Sequence, residues 1–294
     1  MKKFLLIIFI LLFLIAIIFT VYHHFFDHET ANHDNQIGLV KIQGVIIDSR
    51  NTVKELDKLA DDENIKGIII RINSPGGAVA PSQEIYQEIK RISHIKPVYS
   101  SMSTMAASGG YYIACASQKI YANPGTLTGS IGVIMQFTNW QKLLKKFGIG
   151  NEVIKSGKLK DIGSPLRAMT PEEKKLLQEM VNDVYQQFLD DVAKSRHIPL
   201  SKLLTIADGR VFSGRQAKNL GLVDKLGSLT LAVNDLAVKV GITGKPRLVE
   251  KKEKKGLLYY LLGEKMANQV ENIMGMDSPV VSYLLPVNNL PANY

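Results

Sequence analysis

The sequence predicts an α/β fold of crossover units on a largely parallel sheet, preceded by one N-terminal transmembrane helix. Three observations lead there. Short β-branched runs alternate with segments of helical period, and glycine-rich turns lie between them. A nearly unbroken apolar run, Phe4–Tyr22, comes before all of them. The chain of 294 residues, 46% hydrophobic and 21% charged, is long enough for one large or two small globular units.

The apolar run is interrupted only by Thr20. At a rise of about 1.5 Å per residue it covers the roughly 30 Å hydrocarbon thickness of a bilayer. No small-x-small cleavage site follows it, so an uncleaved anchor is expected over residues 1–22 rather than a removed leader. Lys2 and Lys3 precede the span, and the next fifteen residues hold no Lys or Arg. The expected topology therefore has the N-terminus in the cytoplasm and the bulk of the chain outside. Residues 23–36 read as a polar linker. Its His23, His24, His28 and His33 lack the fold that would fix metal-ligand geometry, so no metal or other cofactor is expected.

The body is expected over residues 37–244. Ile37–Ile47 reads as a strand or a pair, Thr52–Asp61 as a helix, and Lys66–Ile72 as a buried strand. The turn cluster Asn73-Ser-Pro-Gly-Gly77 leads into a helix over about Pro81–Ile92, and Pro97–Ser101 is again strand-like. Ile120–Gly125 and Thr128–Met135 continue the β pattern, with a helix over Trp140–Phe147 and a short strand over Asn151–Lys155. Thr170-Pro-Glu-Glu173 is a helix start, with Thr as cap, Pro in the first turn and Glu three positions on. That helix should reach about Ser195. Asp208–Gly214 is turn-rich and leads to a short helix, and Ser228–Val240 is the last helix of the body. Residues 245–294 form a basic and then apolar tail, open to reading as an oligomer contact, a membrane-surface segment or disorder.

Composition narrows the chemistry. The net charge is +9, but no basic stripe interleaved with aromatics is present, so nucleic acid is not an expected partner. One cysteine, Cys115, allows no intramolecular disulfide and reads as a packing residue. The stretch Ser103–Ser117 is made mostly of small residues, and Ser108 sits where a strand gives way to a helix, with Gly109 and Gly110 behind it. A first helical turn offers free N–H groups, and acyl transfer needs such groups for a developing oxyanion. A close-packed helix start inside a core is the competing reading. The glycine junctions at Gly76-Gly77 and Ser108-Gly109 both lie at carboxyl ends of strands, where ligands gather on such sheets. A nucleophilic serine needs a base. His94 and His197 read as surface or helix-end residues, and no Gly-x-Ser-x-Gly elbow is present. A lysine ordinarily titrates near 10.4, and burial without a carboxylate favours its neutral form. Lys158 and Lys160, in the loop Ser156–Pro165, are the candidates.

Five motifs, in order, carry a resemblance: Asn73-Ser-Pro-Gly-Gly77, Met105-Ala-Ala-Ser-Gly-Gly-Tyr-Tyr112, Leu127-Thr-Gly-Ser-Ile-Gly-Val133, Ser156-Gly-Lys-Leu-Lys-Asp-Ile162 and Asp208-Gly-Arg-Val211. Together the region Ile37–Val240 resembles the SppA-type signal peptide peptidases in their short form. These are membrane-anchored serine proteases with a ClpP/crotonase-like fold of repeated β-β-α units. The resemblance implies Ser108 as nucleophile, Lys160 as general base, the N–H groups of Gly77 and Gly109 as oxyanion hole, and Ser130 as the residue that positions the lysine. It also implies a ring-like homo-oligomer in which serine and lysine meet across a subunit boundary, and apolar peptides such as signal-peptide remnants as substrates. Rival readings are a ClpP-class protease acting on a membrane partner protein, as in stomatin-associated enzymes, a crotonase-like acyl-CoA enzyme, and a non-catalytic scaffold. The anchor and the small-residue setting of Ser108 count against the acyl-CoA enzyme.

Overall fold

The structure is a computed structural model that describes residues 12–18, 35–251 and 282–284. Residues 12–18 form a short exposed helix, α1. No helix among the described residues is long and apolar enough to cross a membrane, and the rest of the run Phe4–Tyr22 lies outside them.

The body begins with β1 (Gln36–Gln43), α2 (Arg50–Asp61), β2 (Ile65–Ser74), β3 (Gly76–Ala78) and α3 (Val79–Ser93). It continues through β4 (Val98–Ala107), α4 (Gly109–Cys115), β5 (Lys119–Ala122), β6 (Leu127–Gly129) and α5 (Gln141–Lys146). Then come α6 (Pro171–Arg196), α7 (Leu200–Leu204), β7 (Val211–Ser213), α8 (Gly214–Leu220), β8 (Lys225–Leu226), α9 (Leu229–Lys239) and β9 (Arg247–Val249). The main sheet runs β7-β6-β4-β2-β1-β9, with β5 attached to β4 and β8 to β5. Every pairing in it is parallel except β6 with β7. The ten-residue β4 is the hub. Along one edge it pairs first with β5, at Tyr99–Ser101, and then with β6, at Met105–Ala107.

Helices cover both faces of the sheet, which is why β2 reads as a continuous β-branched run rather than an alternating one. Ile68, Ile70 and Ile72 enter the larger core with Leu56 and Leu59 of α2, Ile85 and Ile89 of α3, and Phe188 and Val192 of α6. Ile69 points the other way and joins Tyr99, Tyr121 and α9 residues such as Val233 and Leu236. Cys115 is buried in the larger core as a packing residue, and burial pushes its thiol up to about 12.

Most expected elements are present, with shifted ends. The capping box at Thr170 forms as expected: its hydroxyl accepts from the Glu173 N–H and the Glu173 carboxylate accepts from the Thr170 N–H. Three expectations need correction, and one helix was not foreseen. The strand expected over Thr128–Met135 stops at Gly129, because Ser130 turns to φ 52° and leaves the ladder. Asn151–Lys155 is not a strand. The turn cluster at Asn73–Gly77 is mostly extended, with only Pro75 separating β2 from β3. Helix α7 has too few residues for a readable period. Beyond Gly244, where the composition changes, β9 still pairs with β1 at Gln36–Gly38. The side-chain amide of Asn35 donates to the Thr243 carbonyl at 2.9 Å, so both ends of the body lie at this edge.

Candidate active site

Ser108 is the single residue between β4 and α4. Reversing from strand to helix over one residue puts it at φ 54°, ψ −117°, a region that costs a non-glycine residue on the order of 1–3 kcal/mol. Its N–H donates to the Gly129 carbonyl and its carbonyl accepts from the Tyr112 N–H, both at 2.8 Å, so the main chain is clamped on each side. The residue is 1% exposed.

Ser130 is the neighbour of the residue that clamps Ser108. It too has positive φ, 52°, and its N–H donates to the Arg210 carbonyl at 2.8 Å. Among the described residues, only Ser108, Ser130 and His197 combine positive φ with a side chain. Two of these three are expected site residues, and both are buried serines. His197 is the left-handed C-cap of α6, while His94 is the C-cap of α3. The helix-end reading of both histidines therefore holds.

Gly77 and Gly109 lie against each other. A methyl group on Gly109 would sit 3.2 Å from the Gly77 nitrogen and 2.7 Å from the Ser82 hydroxyl. As first residue of α4, Gly109 has no helical partner for its N–H. Around Gly77, the Ile46 N–H donates to the Gly76 carbonyl at 2.9 Å and the Ala78 N–H donates to the Ile46 carbonyl at 2.7 Å. That alternation turns the N–H and carbonyl of Gly77 itself away from Ile46. Two serines hold this turn, and neither stood out in the sequence. Ser74 accepts from the Gly76 N–H at 3.1 Å, and Ser82 donates to the Ala78 carbonyl at 2.8 Å.

On the open side of β3 lies β10 (Ser282–Leu284), antiparallel, with Tyr283 opposite Gly77. Nothing in the sequence pairs this tail segment with the glycine junction, because strand partnership over some two hundred residues leaves no local pattern.

The remaining expected residue is not bonded to this cluster among the described residues. Lys160 is exposed, in the loop that precedes α6, and no hydrogen bond among the described residues joins it to Ser108 or Ser130. What the structure does separate is Lys160 from its neighbours. Lys155 pairs with Asp161, and Lys158 pairs with Glu172. Lys160 meets no carboxylate among the described residues. Arg167 braces the loop, bridging Asp161 at 2.8 Å and Glu173 at 2.8 Å. The Arg167 guanidinium and the Lys155 amine hold the Asp161 carboxyl well below the usual carboxylate range, and Arg167 also draws Glu173 down to about 2.

Comparison with known proteins fits this geometry. A family model described as peptidase family S49 matches residues 90–243, and one described as Clp protease matches residues 40–127. A putative protease of Methanocaldococcus jannaschii is 38% identical, over 78% of this chain and 75% of its own length. A putative signal peptide peptidase SppA of Enterococcus faecium is 36% identical, over 81% of this chain and 74% of its own. A chloroplastic serine protease SPPA of Arabidopsis thaliana is 39% identical, over 67% of this chain and 29% of its own.

Proposed function

Because this chain belongs to peptidase family S49, and is a serine protease of the SppA type, we propose that it cleaves apolar peptides with Ser108 as nucleophile and Lys160 as general base. The observation that carries this reading is the strained, clamped backbone of Ser108 beside the facing main chains of Gly77 and Gly109. Lys160 is favoured as base because its two neighbouring lysines are engaged by carboxylates, which hold an amine protonated, and it is not.

The chemistry follows. A neutral amine takes the hydroxyl proton as the Ser108 oxygen attacks the peptide carbonyl. The N–H groups of Gly77 and Gly109 stabilise the oxyanion, and the ammonium then protonates the leaving amine. Water activated by the same amine releases the acyl group. No hydrogen bond joins Lys160 to Ser108 among the described residues of one chain, and in this reading the amine is supplied by a neighbouring subunit of a ring-like homo-oligomer, where Ser130 helps to hold it. The run Phe4–Tyr22 anchors the protease in the cell membrane with its body outside the cytoplasm, beside apolar remnants such as cleaved signal peptides.

Ser108→Ala and Lys160→Ala are each expected to abolish peptide hydrolysis while leaving the fold and the assembly intact. A fluorophosphonate should label Ser108, as mapped by mass spectrometry of the digested protein. Near-normal turnover in either variant, or a label on another residue, would remove the dyad. Activity is expected to fall toward acid as the amine becomes protonated. A limb governed by a group near ~4 would indicate a carboxylate base instead.

A further inference from the structure

The motif Asp208-Gly-Arg-Val211 has no part in the chemistry above, yet its main chain is bonded to the site. We propose that Asp208 and Arg210 are positioning residues of this protease: the turn they close sets the peptide plane that holds both Ser108 and Ser130. This rests on the reading of Ser108 as nucleophile and of Ser130 as the residue that helps to hold the amine.

One peptide group makes the case. The carbonyl of Gly129 and the N–H of Ser130 belong to the same planar unit and point in opposite directions. On one side the carbonyl accepts from the Ser108 N–H at 2.8 Å, and on the other the N–H donates to the Arg210 carbonyl at 2.8 Å. Because the unit is rigid, a tilt that loosens one bond moves the other. Gly129 at φ 80° and Ser130 at φ 52° flank it, so regular strand geometry does not set its orientation. The Arg210 carbonyl does.

The turn in its own right fixes that carbonyl. The Asp208 carboxylate accepts from the Arg210 N–H at 3.2 Å, and it takes the guanidinium of the same residue at Nε, 2.7 Å, and at Nη2, 2.6 Å. Between them Gly209, at φ 87°, donates to the Ile131 carbonyl at 3.0 Å, beyond the last paired residues of β6 and β7. Just before the turn, the Ala207 carbonyl accepts from the Tyr185 hydroxyl of α6. Arg210 holds the Asp208 carboxyl down to about 2, so the fork persists wherever a lysine amine can be neutral. Both side chains are about half exposed. An ion pair so exposed adds little to global stability, so its value here lies in geometry.

The test uses the full chain. Arg210→Ala and Asp208→Ala are each expected to lower kcat about tenfold with KM unchanged, and to slow fluorophosphonate labelling of Ser108 by the same factor. Asp208→Asn keeps an acceptor for the Arg210 N–H and should retain most of the activity. In all three variants the fraction of protein finally labelled should stay full, with the thermal midpoint close to that of the unaltered chain. Unchanged kcat and labelling rate in both alanine variants would overturn the proposal and leave the nucleophile standing. So would a labelled fraction that falls in step with the thermal midpoint, which is what a merely structural turn would give, or an Asp208→Asn protein no faster than Asp208→Ala. Failure of Ser108 to take the label in the unaltered chain would instead remove the reading on which the proposal rests.

Discussion

Ser108 occupies a backbone conformation that a glycine would take without strain, and a serine is retained there. Both Ser108→Gly and Ser108→Ala should be inactive, but they should part in stability. The glycine variant is expected to be more stable than the alanine variant by about 1 kcal/mol, read as a higher midpoint in urea, because only glycine relieves the positive φ. The two glycines proposed as the oxyanion hole should also part. Alanine at 109 meets a movable hydroxyl at 2.7 Å and the Gly77 nitrogen at 3.2 Å, so the fold should survive while the two donors are pushed apart. A fall of about 10²–10³ in kcat is expected, with little change in thermal midpoint. Alanine at 77 would place its methyl 2.0 Å from the Ile46 carbonyl oxygen, which is main chain and cannot swing aside. That variant should fail to yield folded protein. Equal behaviour of the two alanine variants would show that the contacts do not differ as described. The place of Ser108 and Gly109 where a strand gives way to a helix was legible in the sequence, because small residues at such a junction are a local pattern. Ser74 and Ser82 were not, because their role is to tie a turn that sequence alone places only loosely.

At the level of elements, the loop before α6 depends on charge rather than on a core. Leu159 is half-buried, Lys155 and Lys158 are exposed, and Arg167 ties Asp161 to Glu173. Both carboxyls are held below their ordinary values, chiefly by Arg167. A depressed carboxyl contributes its stabilisation above its unfolded value and loses it as pH falls through the folded one. For Glu173 that window runs from about 4.5 down to about 2. Hydrogen exchange should therefore show residues 155–170 losing protection across that range while β2 and β4 keep theirs. Arg167→Gln should bring the same loosening at neutral pH and lower kcat/KM, with the thermal midpoint of the body nearly unchanged. Uniform loss of protection would mean that this loop is no separate unit. Long elements with a strong period, such as β2, α3 and α6, were readable in advance. The strand expected over Asn151–Lys155 was not realised, since its β-branched residues have no sheet edge to join. Val153 and Ile154 are left exposed instead.

For the molecule as a whole, the proposed pairing of Lys160 with a neighbouring subunit's Ser108 would make assembly a condition of activity. Trp140, Leu143, Phe147 and Ile154 are exposed on the same excursion that carries Lys160, which suits a surface covered by another subunit. Mixing unfolded Ser108→Ala and Lys160→Ala chains in equal amounts and refolding them together gives a clear test. If each site draws its serine and lysine from different subunits, about a quarter of the sites are complete, whereas sites built within one chain give none. Phe147→Glu with Ile154→Glu should yield a smaller particle by light scattering and no peptidase activity. The bond between Asn35 and Thr243, with β9 beside β1, brings the entering and departing chain to one corner of the body. In a ring of the kind proposed above, equivalent corners would share one rim, so the points where the preceding and following segments join the body would gather around a single mouth and leave the opposite one clear for traffic.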